Sequence, residues 1–470
     1  MLHLISNQAA MMFRFVAMLA CLGMVSVIIA DEKPNFIVIF ADDLGYGDLS
    51  CYDPDGIETP RIDALADGGF RSTDFFVPAN VCSPSRAALL TGRYPMRCGI
   101  PVARFERTGS KYQDYGLASD EITIPELLKP AGYRSLMVGK WHLGMEVEGS
   151  HPIDAGFDEH LGIPSNYGKS RGPNFDTLYR GKQVERKKIP CEELTNIYTN
   201  EVVDFIHRNQ DDPFLIYVSH HIVHSPLLPS KEFVGTSGKG KYGDFIRELD
   251  HSTGRIIDAV QDAGLSEKTF VVFTSDNGPT RVGSTGGLNG GKYCTMEGGH
   301  RVPGIFYWPG TVPPHQVSDV TLTSMDLLPQ FCTLAGVALP SDRKIDGKHI
   351  LSILKGEQSE SQHQFLYYYN GTNLQAVREG KWKLHLPRSA NDQPFWSKKP
   401  GKYKGFVALD ELQLFDLEND LGEKENVASQ YPEMVARLQK QADLIRAELG
   451  DVRVTGHDQK EIKLVDPQER

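Results

Sequence analysis

The chain has 470 residues, 40% hydrophobic and 24% charged, enough apolar material for a large core and two domains, which excludes a disordered or repeat protein. Its 61 acidic against 50 basic side chains leave a net charge of −11, which argues against a nucleic-acid partner; any anionic substrate must be met by a local cluster of cations. Seven cysteines at irregular spacing make neither a disulfide scaffold nor a thiolate metal site.

Residues 1–30 hold Arg14 ahead of an apolar run, 15–30, that stops before the polar Asp31-Glu32-Lys33. This reads as a cleaved secretory signal, so the mature protein is expected in a secreted, periplasmic or other exported compartment. No later stretch is long and apolar enough to span a bilayer, and no stable membrane span is expected after cleavage.

The run 35–41 is almost wholly apolar and fits a central parallel strand, ending in Asp42-Asp43. Two adjacent carboxylates repel each other unless a cation sits between them; the alternative is a pair of solvated acids capping the next helix. At 81–93 a cysteine precedes Ser83-Pro84, an arginine follows one turn on, and Gly92 ends an apolar stripe, so Cys82 is expected at a helix N-terminus. There the partial positive charge of the helix lowers a thiol pKa and can cradle an anion.

A short helix is predicted over 122–131 and a strand over 133–138, leading into Gly139-Lys140-Trp141-His142-Leu143-Gly144. Alternate residues of an extended segment face one side, which would send Lys140 and His142 into one site. The strand 215–219 runs into His220-His221-Ile222-Val223-His224-Ser225-Pro226, and a helix follows with Phe245, Leu249, Ile256 and Val260 on its core face. A second two-faced strand, 270–275, ends in Asp276-Asn277. Asp42, Asp43, Asp276 and Asn277 together form an all-oxygen set, which suits calcium or magnesium rather than zinc and makes a three-histidine zinc cluster redundant.

The glycines at 286–291 lack the strand-then-helix frame of a phosphate loop, so no nucleotide site is read there. From 357 the texture changes to short extended runs at 364–369, 373–378, 382–386 and 414–417, with Asn-Gly and Glu-Gly turns between the first three, and a closing helix over 432–449. The expected division is a signal at 1–30, a catalytic domain at 31–356 and a C-terminal subdomain at 357–470. Asn370-Gly371-Thr372 also matches a glycosylation acceptor.

Several of these strings resemble the signatures of the type I sulfatases: Cys82-x-Pro84-x-Arg86 with Leu89-x-Thr91-Gly92-Arg93, the Gly139–Gly144 string, His224-x-Pro226, and Lys292 with Glu297-Gly298-Gly299-x-Arg301-x-Pro303. The resemblance spans nearly all of residues 34–449. It implies an alkaline-phosphatase-like α/β fold, a mainly parallel mixed sheet flanked by helices, with a smaller antiparallel C-terminal subdomain. It also implies hydrolysis of sulfate monoesters, with Cys82 oxidised to formylglycine by a maturation enzyme. One divalent cation, calcium before magnesium, would be held by Asp42, Asp43, Asp276, Asn277 and residue 82. In such enzymes the hydrated aldehyde attacks sulfur and forms a covalent sulfate ester. Asp276 would help activate that hydroxyl and Arg86 would hold the hydrate. Lys140, Lys292 and His224 would bind sulfate or protonate the leaving oxygen, and His142 would take the remaining hydroxyl proton to expel sulfate.

One departure concerns the family's Gly-Ile-Pro-x-Ser stretch, which here reads Gly162-Ile163-Pro164-Ser165-Asn166, one residue shorter, leaving Ser165 as a candidate substrate contact. Three irregular segments rich in Arg, Lys, Tyr and Trp, at 103–118, 165–189 and 387–404, are expected to shape the pocket, and basic with aromatic groups suit a sulfated sugar. Two other readings stay open: a phosphate or phosphonate ester hydrolase on the same scaffold, and a non-catalytic binder of sulfated glycans in which residue 82 stays a thiol.

Overall fold

Every residue of Asn35–Ala41 (β1) is buried, and its side chains divide between two cores: Phe36, Val38 and Phe40 enter one, Ile37, Ile39 and Ala41 the other. A strand with two apolar faces belongs inside a sheet covered on both sides. The computed structural model, in which β1 takes that place, describes residues 33–104, 115–168, 176–388, 408–452 and 454–461. The expected signal, 1–30, lies outside the described residues, as do parts of all three expected pocket segments.

After β1 come α1 (Pro60–Asp67), β2 (Phe70–Phe76), α2 (Cys82–Thr91), α3 (Ile124–Leu128), β3 (Arg134–Lys140), β4 (Glu159–Ile163), β5 (Leu178–Arg180) and β6 (Gln183–Arg186). The chain continues through α4 (Cys191–Arg208), β7 (Phe214–Ser219), α5 (Gly240–Asp262), β8 (Thr269–Ser275), α6 (Glu297–His300) and β9 (Arg301–Tyr307). Then follow β10 (Gln316–Ser318), β11 (Leu322–Thr323), α7 (Leu327–Leu334) and the single turn α8 (Leu351–Leu354). Last are β12 (Leu366–Asn370), β13 (Asn373–Glu379), β14 (Trp382–His385), β15 (Gln413–Asp416) and α9 (Pro432–Leu449).

The large sheet has 11 strands in the order β10-β2-β9-β8-β1-β7-β3-β4-β5-β6, with β11 also on β2. Strands β8, β1, β7, β3 and β4 are parallel, and antiparallel strands flank them on both sides. This is the expected mixed, mainly parallel sheet of the alkaline-phosphatase-like class. Ala41 is level with Ser275, Phe40 and Gly139 with Ser219, and Lys140 with Ile163. The five central strands therefore release their chains along one edge, where ligands of open α/β sheets collect.

Backbone contact at that edge is close enough to exclude a side chain. Gly139 has φ +101°, and a Cβ built on it would lie 1.9 Å from the Ser219 carbonyl oxygen. Gly139→Ala is expected to destabilise the fold by at least about 2 kcal/mol, through strain and clash together. A denaturant midpoint within experimental error of wild type would show that the two strands yield instead.

The predicted helix at 122–131 is α3 plus a 3₁₀ turn at Lys129–Ala131, opened by a capping box between Thr123 and Glu126. At the C-terminus, β12-β13-β14-β15 form a four-stranded antiparallel sheet. Gly371 (φ 63°) and Gly380 (φ 53°) open its two tight turns, the left-handed conformation that the Asn-Gly and Glu-Gly pairs announced. Leu438, Ala442, Ile445 and Leu449 of α9 pack on this sheet in a core that also takes Phe76 of β2 and Ala88 of α2. Burial of that stripe stabilises the docked helix by roughly 1.5–3 kcal/mol for each large apolar side chain.

The described residues from Pro34 onward form one compact unit. Asn370 is 3% exposed and its amide donates to the Tyr293 carbonyl at 3.2 Å, so in the folded protein this side chain is not a glycan acceptor. Cys51, Cys82, Cys98, Cys191, Cys294 and Cys332 are free thiols. Among the described residues no helix is long and apolar enough to cross a membrane.

Candidate active site

Asp42 and Asp43 leave β1, Asp276 and Asn277 leave β8, and Cys82 opens α2. Backbone bonds fix the first two turns: Asp42 N–H donates to the Ile222 carbonyl at 2.9 Å and Asp276 N–H to the Ala41 carbonyl at 3.1 Å. Asp43 takes a left-handed φ of 64°, and its N–H donates to Asp276 Oδ1 at 3.1 Å. Helix α2 is entered from extended Val81 (φ −151°), tolerates Pro84 in its first turn, where no intrahelical N–H bond is lost, and ends at left-handed Gly92. All ten of its residues are buried, which seats Cys82 beneath the sheet edge. One ligand atom from each of Asp42, Asp43, Cys82 and Asp276 lies within 4.8 Å of the others.

Three cations answer the three carboxylates. Lys140 Nζ lies 2.7 Å from Asp42 Oδ2, Lys292 Nζ 2.8 Å from Asp43 Oδ2, and Arg86 Nη2 2.6 Å from Asp276 Oδ2. The guanidinium of Arg86 is fully buried against the Phe40 ring; it also donates to the Ser219 hydroxyl and, at 3.2 Å, to the Lys140 carbonyl. Burial alone would raise the Asp42 carboxyl, but the charges of Lys140, Arg86 and Lys292 hold it well below the ordinary range. Burial and then the neighbouring Asp42 carboxylate push Asp276 up to about 6, Arg86 opposing.

Cys82 does sit at the helix N-terminus, but the expected lowering of its thiol pKa is reversed. Burial and the Asp276 carboxylate push the thiol well up, although Lys140 and Lys292 pull the other way. Its Sγ is 3.4 Å from Asp42 Oδ1 and 3.5 Å from Lys292 Nζ. The helix end contributes partial charge, whereas the carboxylates around it carry whole charges in a site without water-like screening.

His142 reaches the site by a different route from the one expected. Strand β3 ends at Lys140, and His142 sits at a left-handed φ of 59°, so strand alternation does not align the two side chains. Instead the turn is tied to the exit of β4, with Trp141 N–H on the Ile163 carbonyl at 3.1 Å and His142 N–H on the Pro164 carbonyl at 2.8 Å. This pairing brings Ser165, which is buried, to the neighbourhood of His142. Nε2 of His142 lies 3.1 Å from the Arg104 carbonyl and must carry the hydrogen; Nδ1 has no partner among the described residues and is left as an acceptor. Burial, with the charges of Lys140 and Arg86, lowers the His142 pKa well below the ordinary value and keeps the ring neutral.

The three histidines after β7 diverge. His220 Nε2 meets Ser252 Oγ at 3.3 Å and His221 Nε2 meets Cys191 Sγ at 3.5 Å, both in the core, so they form no zinc cluster. His224 alone turns to the site, with Nδ1 at 2.6 Å from the Ser225 carbonyl and Nε2 at 3.8 Å from Asp43 Oδ2. Burial and then Lys292 lower its pKa to about 4. Asn277 Nδ2 donates to Asp43 Oδ1 at 2.8 Å, while its Oδ1 is buried without a protein partner among the described residues. An unpartnered amide oxygen beside three convergent carboxylates is a donor set that fits a hard divalent cation.

The model describing the sulfatase family matches residues 34–337, and that of the C-terminal region of aryl-sulfatase matches residues 361–463. The chain belongs to the sulfatase family. It is a sulfuric ester hydrolase, and the type I resemblance of its motifs holds. N-acetylgalactosamine-6-sulfatase of Canis lupus familiaris is 41% identical over 381 residues, covering 76% of this chain and 72% of that protein. Arylsulfatase A of Homo sapiens is 36% identical over 468 residues, covering 90% and 89%. A solved protein described under the metabolism of multiple glycosaminoglycans by Bacteroides thetaiotaomicron (BT33336S-sulf) superposes with a TM-score of 0.79 at 29% identity, covering 89% of this chain and 100% of that one.

In this sulfatase the sequence motifs do not reveal Ser219, which accepts from Arg86 and donates to the Lys140 carbonyl at 2.6 Å. As the last residue of β7, level with Gly139, it braces the two neighbouring strand ends. Its one sequence signal is position: a small polar residue closing an otherwise apolar strand.

Proposed function

We propose that the protein hydrolyses sulfate monoesters of a sulfated carbohydrate after a maturation enzyme has converted Cys82 to formylglycine. The observation that carries this reading is the convergence of Cys82, three carboxylates and three buried cations within one sheet-edge site. Asp42, Asp43, Asp276, Asn277 and residue 82 would hold one divalent cation, calcium before magnesium. When bound, it supplies positive charge for the sulfuryl oxygens and favours ionisation of a hydroxyl at residue 82.

The chain's own groups divide the remaining work. Converted residue 82 carries two hydroxyls on one carbon; one attacks sulfur, with Asp276 helping to take its proton, while Arg86 holds both Asp276 and the hydrate in place. Lys140 and Lys292 bind the sulfuryl oxygens, whose charge grows in the transition state. His224 is neutral in this site, and an anionic ester facing Nε2 raises its proton affinity, so that it loads a proton and passes it to the leaving oxygen. His142 Nδ1 then accepts the second hydroxyl proton, the aldehyde re-forms and sulfate leaves. Ser165, beside His142, is assigned to the substrate's sugar face.

The carbohydrate assignment draws on the names of the relatives, an N-acetylgalactosamine-6-sulfatase among them, and on the basic and aromatic content of the three pocket segments. Export through the N-terminal signal, and a division near 356, belong to the same reading. The test is sulfate release from a panel of 6-O-sulfated amino sugars, other sulfated saccharides, an aryl sulfate and matched phosphate esters. Release from at least one saccharide, faster than phosphate from its counterpart, is expected. Activity on the aryl sulfate but on no saccharide would refute the substrate class, and faster phosphate release would favour the phosphohydrolase reading.

A further inference from the structure

A set of buried charges that the reaction does not use gathers around Glu297, five residues beyond Lys292 in the chain. Glu297, at the start of α6, is 1% exposed and has both carboxylate oxygens engaged. Oε1 accepts from Lys383 Nζ at 2.9 Å and from the Tyr368 hydroxyl at 2.8 Å, and Oε2 from Arg301 Nε at 2.9 Å. Lys383, from β14, is fully buried, lies 2.9 Å from Glu423 Oε1 as well, and sits over the Tyr368 ring at 3.9 Å from its centroid. Glu423 in turn accepts the Glu297 backbone N–H at 2.6 Å. The C-terminal sheet and the loop after it therefore grip residue 297 by side chain and by main chain.

The same sheet holds the residues between 297 and the site. Asn370 Nδ2 donates to the Tyr293 carbonyl at 3.2 Å, and Thr295 Oγ1 donates to Gln375 Oε1 at 2.9 Å. Lys292 precedes this anchored stretch, and its ammonium lies against Asp43 and Cys82. Apolar packing already joins the C-terminal sheet to β2 and α2, so docking does not require buried ions. A buried ion pair costs desolvation that a well-packed apolar pair does not, and what it offers in return is a fixed geometry. Here that geometry is delivered to the segment bearing Lys292. Burial would raise the Glu297 carboxyl, yet Lys383 and Arg301 keep it well below the ordinary range, so the pair stays ionised.

We propose that Lys383 is a positioning residue for the sulfate site: through Glu297 it fixes the segment that carries Lys292, so the C-terminal sheet sets how tightly the pocket holds a sulfuryl group. The inference rests on the reading of Lys292 as a sulfate-binding cation. Converted enzyme is assayed for kcat and KM on 4-nitrophenyl sulfate and for the inhibition constant of inorganic sulfate, with thermal melts to establish folding. The variants are Lys383→Met, the milder Tyr368→Phe, Lys292→Ala, and each of the first two combined with Lys292→Ala.

Lys383→Met is expected to weaken sulfate inhibition about tenfold and Tyr368→Phe by a smaller factor, while in the Lys292→Ala background either change moves it less than about twofold. Equal effects in the two backgrounds would mean a general structural role and overturn the proposal, as would unchanged inhibition in folded single variants. If Lys383→Met does not fold, Tyr368→Phe decides by the same comparison. If Lys292→Ala leaves sulfate inhibition unchanged, the assignment of Lys292 itself is wrong and the proposal falls with it. If Lys292→Ala weakens inhibition but the other variants do not, only the positioning role is refuted.

Discussion

Protein made without conversion of Cys82 is expected to fold normally and to turn over sulfate esters at least about 10³-fold more slowly than converted protein. The thiol cannot substitute for the hydrate for three reasons. Burial and Asp276 push its pKa well up, so at neutral pH it is protonated and a weak nucleophile. Sulfur is also a soft donor among oxygen ligands and a poor partner for a hard cation. Finally, a single nucleophilic atom that captured the sulfuryl group would have no second hydroxyl with which to eliminate it. Cys82→Ser, in a host that does not oxidise serine at this position, is expected to be inactive or to stall as a sulfated enzyme. Peptide mass spectrometry should find residue 82 as aldehyde or hydrate in active preparations. A preparation whose residue 82 is wholly thiol, yet as fast as a converted one, would end the mechanism proposed here.

What made this site legible beforehand was the two-faced burial of its strands. Alternation between two cores in β1, and the same apolar run in β8, placed Asp42-Asp43 and Asp276-Asn277 at one sheet edge although about 234 residues separate them. The C-terminal sheet was legible from its turn dipeptides, whose glycines take the left-handed backbone that a two-residue loop needs. The electrostatics were not. A helix N-terminus is visible in sequence, but the carboxylates that crowd Cys82 arrive from other strands, so the sign of the thiol shift depends on tertiary structure. The route of His142 was hidden for a similar reason: its left-handed backbone is set by pairing with the exit of β4. Glu297 and Lys383, 86 residues apart with no periodic relation, became partners only through the docking of two sheets. Asn370 matched an acceptor pattern because pattern carries no burial; the Tyr293 carbonyl occupies its amide.

Asn277→Ala is expected to lower turnover by at least about 10³-fold with little change in the metal-free fold, and Asp42→Ala to do the same with some loss of stability. The two differ in what each side chain holds. Asp42 is the counter-charge of Lys140, so its removal leaves a buried ammonium with less compensation, and reduced activity alone would not separate that cost from loss of a ligand. Asn277 Oδ1, by contrast, has no protein partner among the described residues, and only Nδ2 bonds within the site. Loss of that oxygen should therefore register mainly as loss of cation affinity. Elemental analysis of the wild-type enzyme should find one calcium or magnesium per chain, and the Asn277→Ala protein substantially less. Adding the cation to chelated wild-type protein should raise its melting temperature, by about 2.7 kcal/mol of stabilisation when the free ion stands at a hundred times its Kd, and should stabilise Asn277→Ala clearly less at the same concentration. Asp42→Ala should likewise lose the shift, and its metal-free melting temperature relative to chelated wild type measures the cost of the stranded lysine. Full activity in exhaustively chelated protein with no metal detectable, or an undiminished metal content and melting shift in both variants, would show that these oxygens hold no cation.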